Sequence, residues 1–254
     1  MEVHNMFKIT LSNTDLLKNS IPVIAEIIDE GVFKIDSKGM SLVSPDRSMI
    51  ALVDFHLLPS AFDEFKVTGE NNVGLNLANF VAVIKRIKPG EKVILSKEDG
   101  SNKMEIVMKG KGTRKFEIPL LNITTEKPPI EQLKFKSKVE LDASVLEEGI
   151  ADADIVDDSV VFEAEPHVFR IWAKGDMNSS QLELKKGEEG VEKIEVSETT
   201  KARYPLEYLK KMIKAAKFSE KVLLEYANDY PLRMVFKDLE KMHLSFVLAP
   251  RVEE

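Results

Sequence analysis

The chain contains no cysteine. That excludes disulfides and thiolate-bound metals and fits a reducing compartment. No apolar run approaches the roughly 18 residues a membrane-spanning helix needs. Nor does Met1-Glu2-Val3-His4-Asn5 have the basic-then-apolar order of a secretory signal, so the expected location is cytoplasmic. Without an export signal, Asn122-Ile123-Thr124 and Asn178-Ser179-Ser180 read as chance glycosylation sequons. Phosphate-binding glycine motifs and a nucleophile elbow are also missing. His4, His56, His167 and His243 are scattered, with no metal or triad spacing, and read as surface or strand residues. Asp152, Asp154, Asp157 and Asp158 lack the glycine and closing glutamate of a calcium loop and read as a helix end plus a turn. The sequence thus predicts no enzyme, no cofactor and no bound metal.

Basic charge is in the minority, with 36 Lys and Arg against 43 Asp and Glu, for a net charge of −7. That balance argues against coating nucleic acid by bulk attraction, but leaves room for a locally basic face. Hydrophobic residues make up 43% of 254, enough to build cores in a globular protein.

A repeat organises the chain. Residues 83–95 read Val-Ile-Lys-Arg-Ile-Lys-Pro-Gly-Glu-Lys-Val-Ile-Leu, and residues 212–224 read Met-Ile-Lys-Ala-Ala-Lys-Phe-Ser-Glu-Lys-Val-Leu-Leu. Ile84, Lys85, Lys88, Glu91, Lys92, Val93 and Leu95 recur as Ile213, Lys214, Lys217, Glu220, Lys221, Val222 and Leu224. The offset is constant (213 − 84 = 129) and close to half the chain, which points to a duplicated domain. The predicted division is 1–120, an extended linker at 121–133 carrying Pro128-Pro129, and 134–254.

Alternating apolar residues predict strands at 6–11, 32–35, 40–44, 48–57, 67–75, 92–96, 103–108 and 114–120. Helices are predicted after the caps Ser12 and Asn13, with a kink or break at Pro22, and over 77–88 up to Pro89-Gly90. The second half predicts strands at 135–141, 160–164, 168–173, 181–185, 193–197, 222–227, 232–237 and 242–248. Its helices are predicted at 143–156, capped by Asp142, and at 206–217. The fold class is α+β with predominantly antiparallel sheets.

Helical spacing puts Leu206, Leu209, Met212, Ile213 and Ala216 on one flank and Lys210, Lys211, Lys214 and Lys217 on another. A lysine face is usually just solvated. Here an acidic chain places four lysines and no acid between 210 and 217, which suits phosphates without reading base edges. The helix after Asp142 carries only acids: Glu147, Glu148, Asp152 and Asp154.

Leu248-Ala249-Pro250-Arg251-Val252-Glu253, Ser44-Pro45-Asp46-Arg47-Ser48 and Arg114-Lys115-Phe116-Glu117-Ile118-Pro119-Leu120, with the duplicated halves, resemble proliferating cell nuclear antigen, the sliding clamp family of archaeal and eukaryotic replication. The resemblance covers essentially the whole chain, with the first five residues as an extension. It implies two similar clamp domains, each with helices on the inner face of antiparallel sheets, closing as a homotrimer into a ring around double-stranded DNA held without sequence specificity. No membrane is involved; the location is nucleoid-associated, or nuclear in a eukaryote. Carried over, Lys18, Lys85, Lys210, Lys211, Lys214 and Lys217 face DNA. DNA polymerase, clamp loader, ligase and flap nuclease would bind through short peptide motifs in an apolar groove. Its matching residues are Pro45, Met49, Ile50 and Leu52; Ile123, Pro128 and Pro129; Pro231 and Leu232; and Val247, Leu248, Ala249 and Pro250. Glu126 stands where an apolar linker residue is common. Subunits would join strand to strand, 113–119 against 177–185, with Phe116 and Leu182 at the junction and Glu148 and Asp152 meeting Arg86, Lys88 and Arg114. The alternatives are a self-associating structural protein without DNA binding, or one subunit of a heterotrimer.

Overall fold

The computed structural model describes residues 6–124, 128–238 and 240–252. The first half runs β1 (Met6–Leu11), α1 (Asp15–Ile24), β2 (Glu30–Asp36), β3 (Gly39–Pro45), β4 (Ala51–Leu57), β5 (Glu64–Thr68), β6 (Asn71–Asn76), α2 (Leu77–Ile84), β7 (Lys92–Lys97), β8 (Lys103–Lys109) and β9 (Thr113–Pro119). The second repeats that order: β10 (Ser137–Asp142), α3 (Ala143–Asp154), β11 (Ser159–Glu165), β12 (Val168–Lys174), β13 (Ser179–Lys185), β14 (Val191–Val196), β15 (Thr200–Pro205), α4 (Leu206–Met212), β16 (Lys221–Tyr226), β17 (Leu232–Asp238) and β18 (Met242–Leu248). The offset read from the sequence recurs in the elements: α2 and α4 start at 77 and 206, β7 and β16 at 92 and 221, each 129 apart.

Contacts divide the chain into two units: Met1–Arg47, Val53–Pro128 and Asp238–Leu244; and Ser48–Leu52, Pro129–Lys237 and Ser245–Glu254. β4 is counted here with the first and β18 with the second, where most of their residues fall. The first unit has strand orders β5-β1-β7-β8-β9 and β4-β3-β2-β6; the second has β14-β10-β16-β17-β18 and β13-β12-β11-β15. The pairings β1–β7 and β10–β16 are antiparallel, as are β2–β6 and β11–β15.

Strand alternation builds each core. In the first unit Phe33 on β2 meets Phe80 on α2 edge to face, ring centroids 5.8 Å apart. In the second, Phe162 packs against Phe169 and Tyr204 at 5.7 and 5.5 Å. α1 lies against α2 within one unit and α3 against α4 within the other.

Several predicted boundaries move. α1 is preceded by Thr14, with no side-chain cap, rather than capped by Ser12 or Asn13. It passes through Pro22 and ends at Ile24. The missing proline N–H falls in the last turn, after which the backbone tightens to bonds from Glu26 N–H to the Val23 carbonyl and from Ile27 N–H to the Ile24 carbonyl. Asp142 precedes α3 but does not cap it, because its carboxylate is taken by Lys221. The expected strand 67–75 is two strands, β5 and β6, split at Gly69, whose φ is 68°. β4 begins at Ala51, not residue 48, because Met49 is left-handed. β15 was not anticipated. α2 stops at Ile84, and α4 at Met212 gives way to a 3-10 turn over Ile213–Lys217.

Candidate nucleic-acid and partner surfaces

α4 is anchored by buried Leu206, Leu209 and Met212. Lys214 and Lys217 lie on the 3-10 turn, where residues three apart eclipse, so they stack in line rather than spiralling. The acids absent between 210 and 217 come from outside that window. Lys210 Nζ lies 2.8 and 3.0 Å from the Asp154 carboxylate oxygens of α3. Lys211 Nζ lies 2.8 Å from Glu207 Oε1 and 5.2 Å from the centre of the Tyr208 ring. Lys211 holds the Glu207 carboxyl below its usual range. In the first unit, Lys18 is 3.9 Å from Asp15. Lys85 and Lys217 are exposed and form no ion pair among the described residues. Such solvent-exposed pairs are worth at most about 1 kcal/mol, so a phosphate can compete for these lysines.

Of the strands that end sheets among the described residues, β5, β6 and β9 in the first unit and β13, β14 and β15 in the second, the two longest are β9 and β13. Each is seven residues long and presents one row of unsatisfied backbone groups. Phe116 on β9 and Leu182 on β13 are half-buried. Arg86 and Lys88 are exposed in the first unit, and Glu148 and Asp152 are exposed on α3 in the second. Arg114, expected at the same junction, is paired within its own unit with Glu91. Sequence reasoning missed Glu91, which is 8% exposed. The repeat marked the position, but its copy, Glu220, is exposed, and nothing local linked Glu91 to Arg114.

The expected groove residues divide by burial. In the second unit Met49 (71% exposed) and Ile50 (39%) present apolar atoms, and Ala249 N–H donates to the Ile50 carbonyl at 2.8 Å. Met49 has φ 59°, unfavourable for a side chain of its kind. Val247, Ala249, Pro250 and Pro231 are half-buried, and Pro129 is exposed. Leu52, Leu232 and Leu248 are 6%, 0% and 0% exposed and pack into the core. In the first unit Pro45, Ile123 and Pro128 are half-buried. Glu126 lies outside the described residues. Past β18 the tail is pinned, with Arg251 N–H on the Arg203 carbonyl at 2.7 Å and its guanidinium on Asp158.

Among the described residues no group of carboxylates, histidines or cysteines is placed to hold a metal, and no helix is long and apolar enough to cross a membrane.

The family model described as proliferating cell nuclear antigen, N-terminal domain, matches residues 6–127, and that for the C-terminal domain matches 129–251. The chain is 35% identical over 246 residues to a DNA polymerase sliding clamp of Nanoarchaeum equitans, covering 96% of this chain and 99% of the relative. It is 34% identical over 248 residues to DNA polymerase sliding clamp 1 of Thermococcus kodakarensis, covering 98% and 99%. The fold superposes on the crystal structure of PCNA from Thermococcus kodakaraensis with a TM-score of 0.90 at 24% identity, covering 96% of this chain and 100% of that one. On the PCNA structure from Entamoeba histolytica the TM-score is 0.88 at 23% identity, covering 97% and 99%. With a family model over each half and relatives above 30% identity along nearly the whole length, the chain belongs to the proliferating cell nuclear antigen family.

Proposed function

We propose that this chain is a DNA sliding clamp, a processivity factor for DNA polymerase that performs no chemistry itself. The carrying observation is the duplicated fold with two seven-residue edge strands, β9 in one unit and β13 in the other, in a chain whose relatives along nearly the whole length are named sliding clamps. Joining β9 of one copy to β13 of the next satisfies both edges at once. Repeated head to tail, that junction closes a ring, and a homotrimer is the assembly proposed. Arg86 and Lys88 then approach Glu148 and Asp152 of the neighbouring copy, with Phe116 and Leu182 packed at the seam. Backbone pairing supplies most of the attraction, since each exposed ion pair is worth about 1 kcal/mol or less.

Lys18, Lys85, Lys210, Lys211, Lys214 and Lys217 form the proposed DNA-facing set. Sliding requires contact that is weak and indifferent to sequence, which flexible lysines provide and bidentate arginine readout does not. Polymerase, clamp loader, ligase and flap nuclease are proposed to dock short motifs on the apolar surface formed by Met49, Ile50, Val247, Ala249 and Pro250. The test is retention on DNA. Loaded onto nicked circles, the protein should survive a high-salt wash and be lost when the circle is linearised. Loss from circles and linear DNA alike at high salt would mean simple charge binding and refute encirclement.

A further inference from the structure

The two copies of the five-stranded sheet differ sharply in charge on their solvent face. In the second unit Lys138 on β10 stands opposite Glu195 on β14 and Glu225 on β16, and Glu225 stands opposite Arg233 on β17. Lys138 Nζ is 3.1 Å from Glu225, Arg233 pairs with the same carboxylate, and Glu225 is only 2% exposed. The charges on that surface are paired with one another.

The corresponding lysine of the first unit is Lys8 on β1. Its cross-strand neighbours are Lys66 on β5 and Ser96 on β7, and Ser96 stands opposite Glu105 on β8. Both carboxylates that flank Lys138 are gone, one replaced by a like charge. Like charges directly opposite are unfavourable, and here the only ion pair that either lysine makes among the described residues is a long one from Lys66 to Glu64. Lys8 makes no ion pair among the described residues, and Lys66 reaches Glu64 only at 4.0 Å. Glu105, at the margin, pairs instead with Lys115.

The same face opens into a depression of about 540 Å³. Met6, Ile94 and Val107 give it apolar atoms, and Lys8, Lys66 and Lys109 are among the cations that outnumber its two carboxylates, Glu98 and Glu105. Met6 is 44% exposed. In the second unit Val235, two residues beyond Arg233 as Val107 is beyond Glu105, is 5% exposed.

We propose that this depression is a docking site for an extended, acidic protein segment carrying a large apolar side chain. Carboxylates of the segment would take the place that Glu195 and Glu225 occupy beside Lys138, and the apolar side chain would cover Met6, Ile94 and Val107. A bare phosphate backbone satisfies the lysines but leaves the apolar atoms uncovered, which favours a peptide.

The test uses the full-length protein and a fluorescein-labelled peptide of alternating aspartate and glutamate with one leucine and one phenylalanine, followed by anisotropy. Saturable, salt-sensitive binding is expected. The Lys8→Glu, Lys66→Glu double variant should weaken it about tenfold or more, as should serine in place of both apolar peptide residues. Ser96→Glu installs opposite Lys8 the carboxylate that the second unit has as Glu225. It should raise the melting temperature and abolish binding, so loss of binding there cannot be misfolding. Absent saturable binding, binding unchanged by Ser96→Glu, or displacement of the peptide by oligothymidylate at equal concentration would each overturn the proposal.

Discussion

The Arg114 guanidinium on β9 donates to the Glu91 carboxylate at 2.5 Å and to the Arg86 carbonyl at 2.9 Å. Glu91 also accepts the Lys88 N–H at 2.8 Å. One largely buried carboxylate therefore ties the turn after α2 to the strand proposed to meet the next subunit. The Lys88 N–H first, and Arg114 second, hold the Glu91 carboxyl below its ordinary range.

A depressed carboxylate stabilises the fold above its unfolded pKa, about 4.3 for glutamate, and that contribution is lost as pH falls through the lower folded value. Glu91→Gln should melt below the wild type at neutral pH, with the gap closing on acidification below about pH 4. Thermal melts across this range check it; a gap that does not change with pH would assign the loss to packing instead.

Asp154 restrains Lys210, so Asp154→Asn should strengthen binding to linear duplex DNA at low salt. Lys217→Gln should weaken it and reduce the slope of log affinity against log salt by about 0.9, the value for one phosphate contact. Anisotropy titrations over a salt series separate the two. An unchanged slope for Lys217→Gln would remove that lysine from the DNA face.

Gly74 on β6 supports the start of the linker. A Cβ there would sit 2.2 Å from the Leu121 carbonyl oxygen and 3.5 Å from Ile123 Cδ1, while Leu121 N–H bonds the Gly74 carbonyl at 2.9 Å. The opposing atom is backbone and cannot rotate away. Gly74→Ala should cost about 1–3 kcal/mol in denaturant unfolding and displace Ile123. A stability equal to wild type would mean the linker is not held there.

Met49 keeps a large apolar side chain exposed in a left-handed conformation. Met49→Gly removes the strain, offsetting the extra freedom of glycine, so stability should stay within about 1 kcal/mol. Binding of a polymerase-derived motif peptide, followed by calorimetry, should nonetheless fall. Unchanged affinity would exclude Met49 from the docking surface.

The duplication was legible because strand alternation and the run from Ile84 to Leu95 survive in both halves. Less visible was anything set by partners distant in sequence. Lys210 looked unopposed because Asp154 is 56 residues away, and Arg114 looked free because Glu91 sits behind a turn. β5 was hidden because Gly69 breaks a run whose apolar pattern continues across it, and the burial of Leu232 and Leu248 was not visible because it depends on the packed sheet. The contrast between Lys8 and Lys138 needed strand register, which a sequence does not display.

Closure of β9 onto β13 between copies is most directly tested by the mass of the purified protein in solution at micromolar concentration. Three chains of 28.7 kDa predict about 86 kDa, reduced to single chains when Lys115→Pro removes a backbone donor from the free edge of β9. A wild-type protein that remains at 28.7 kDa would contradict self-assembly into a ring.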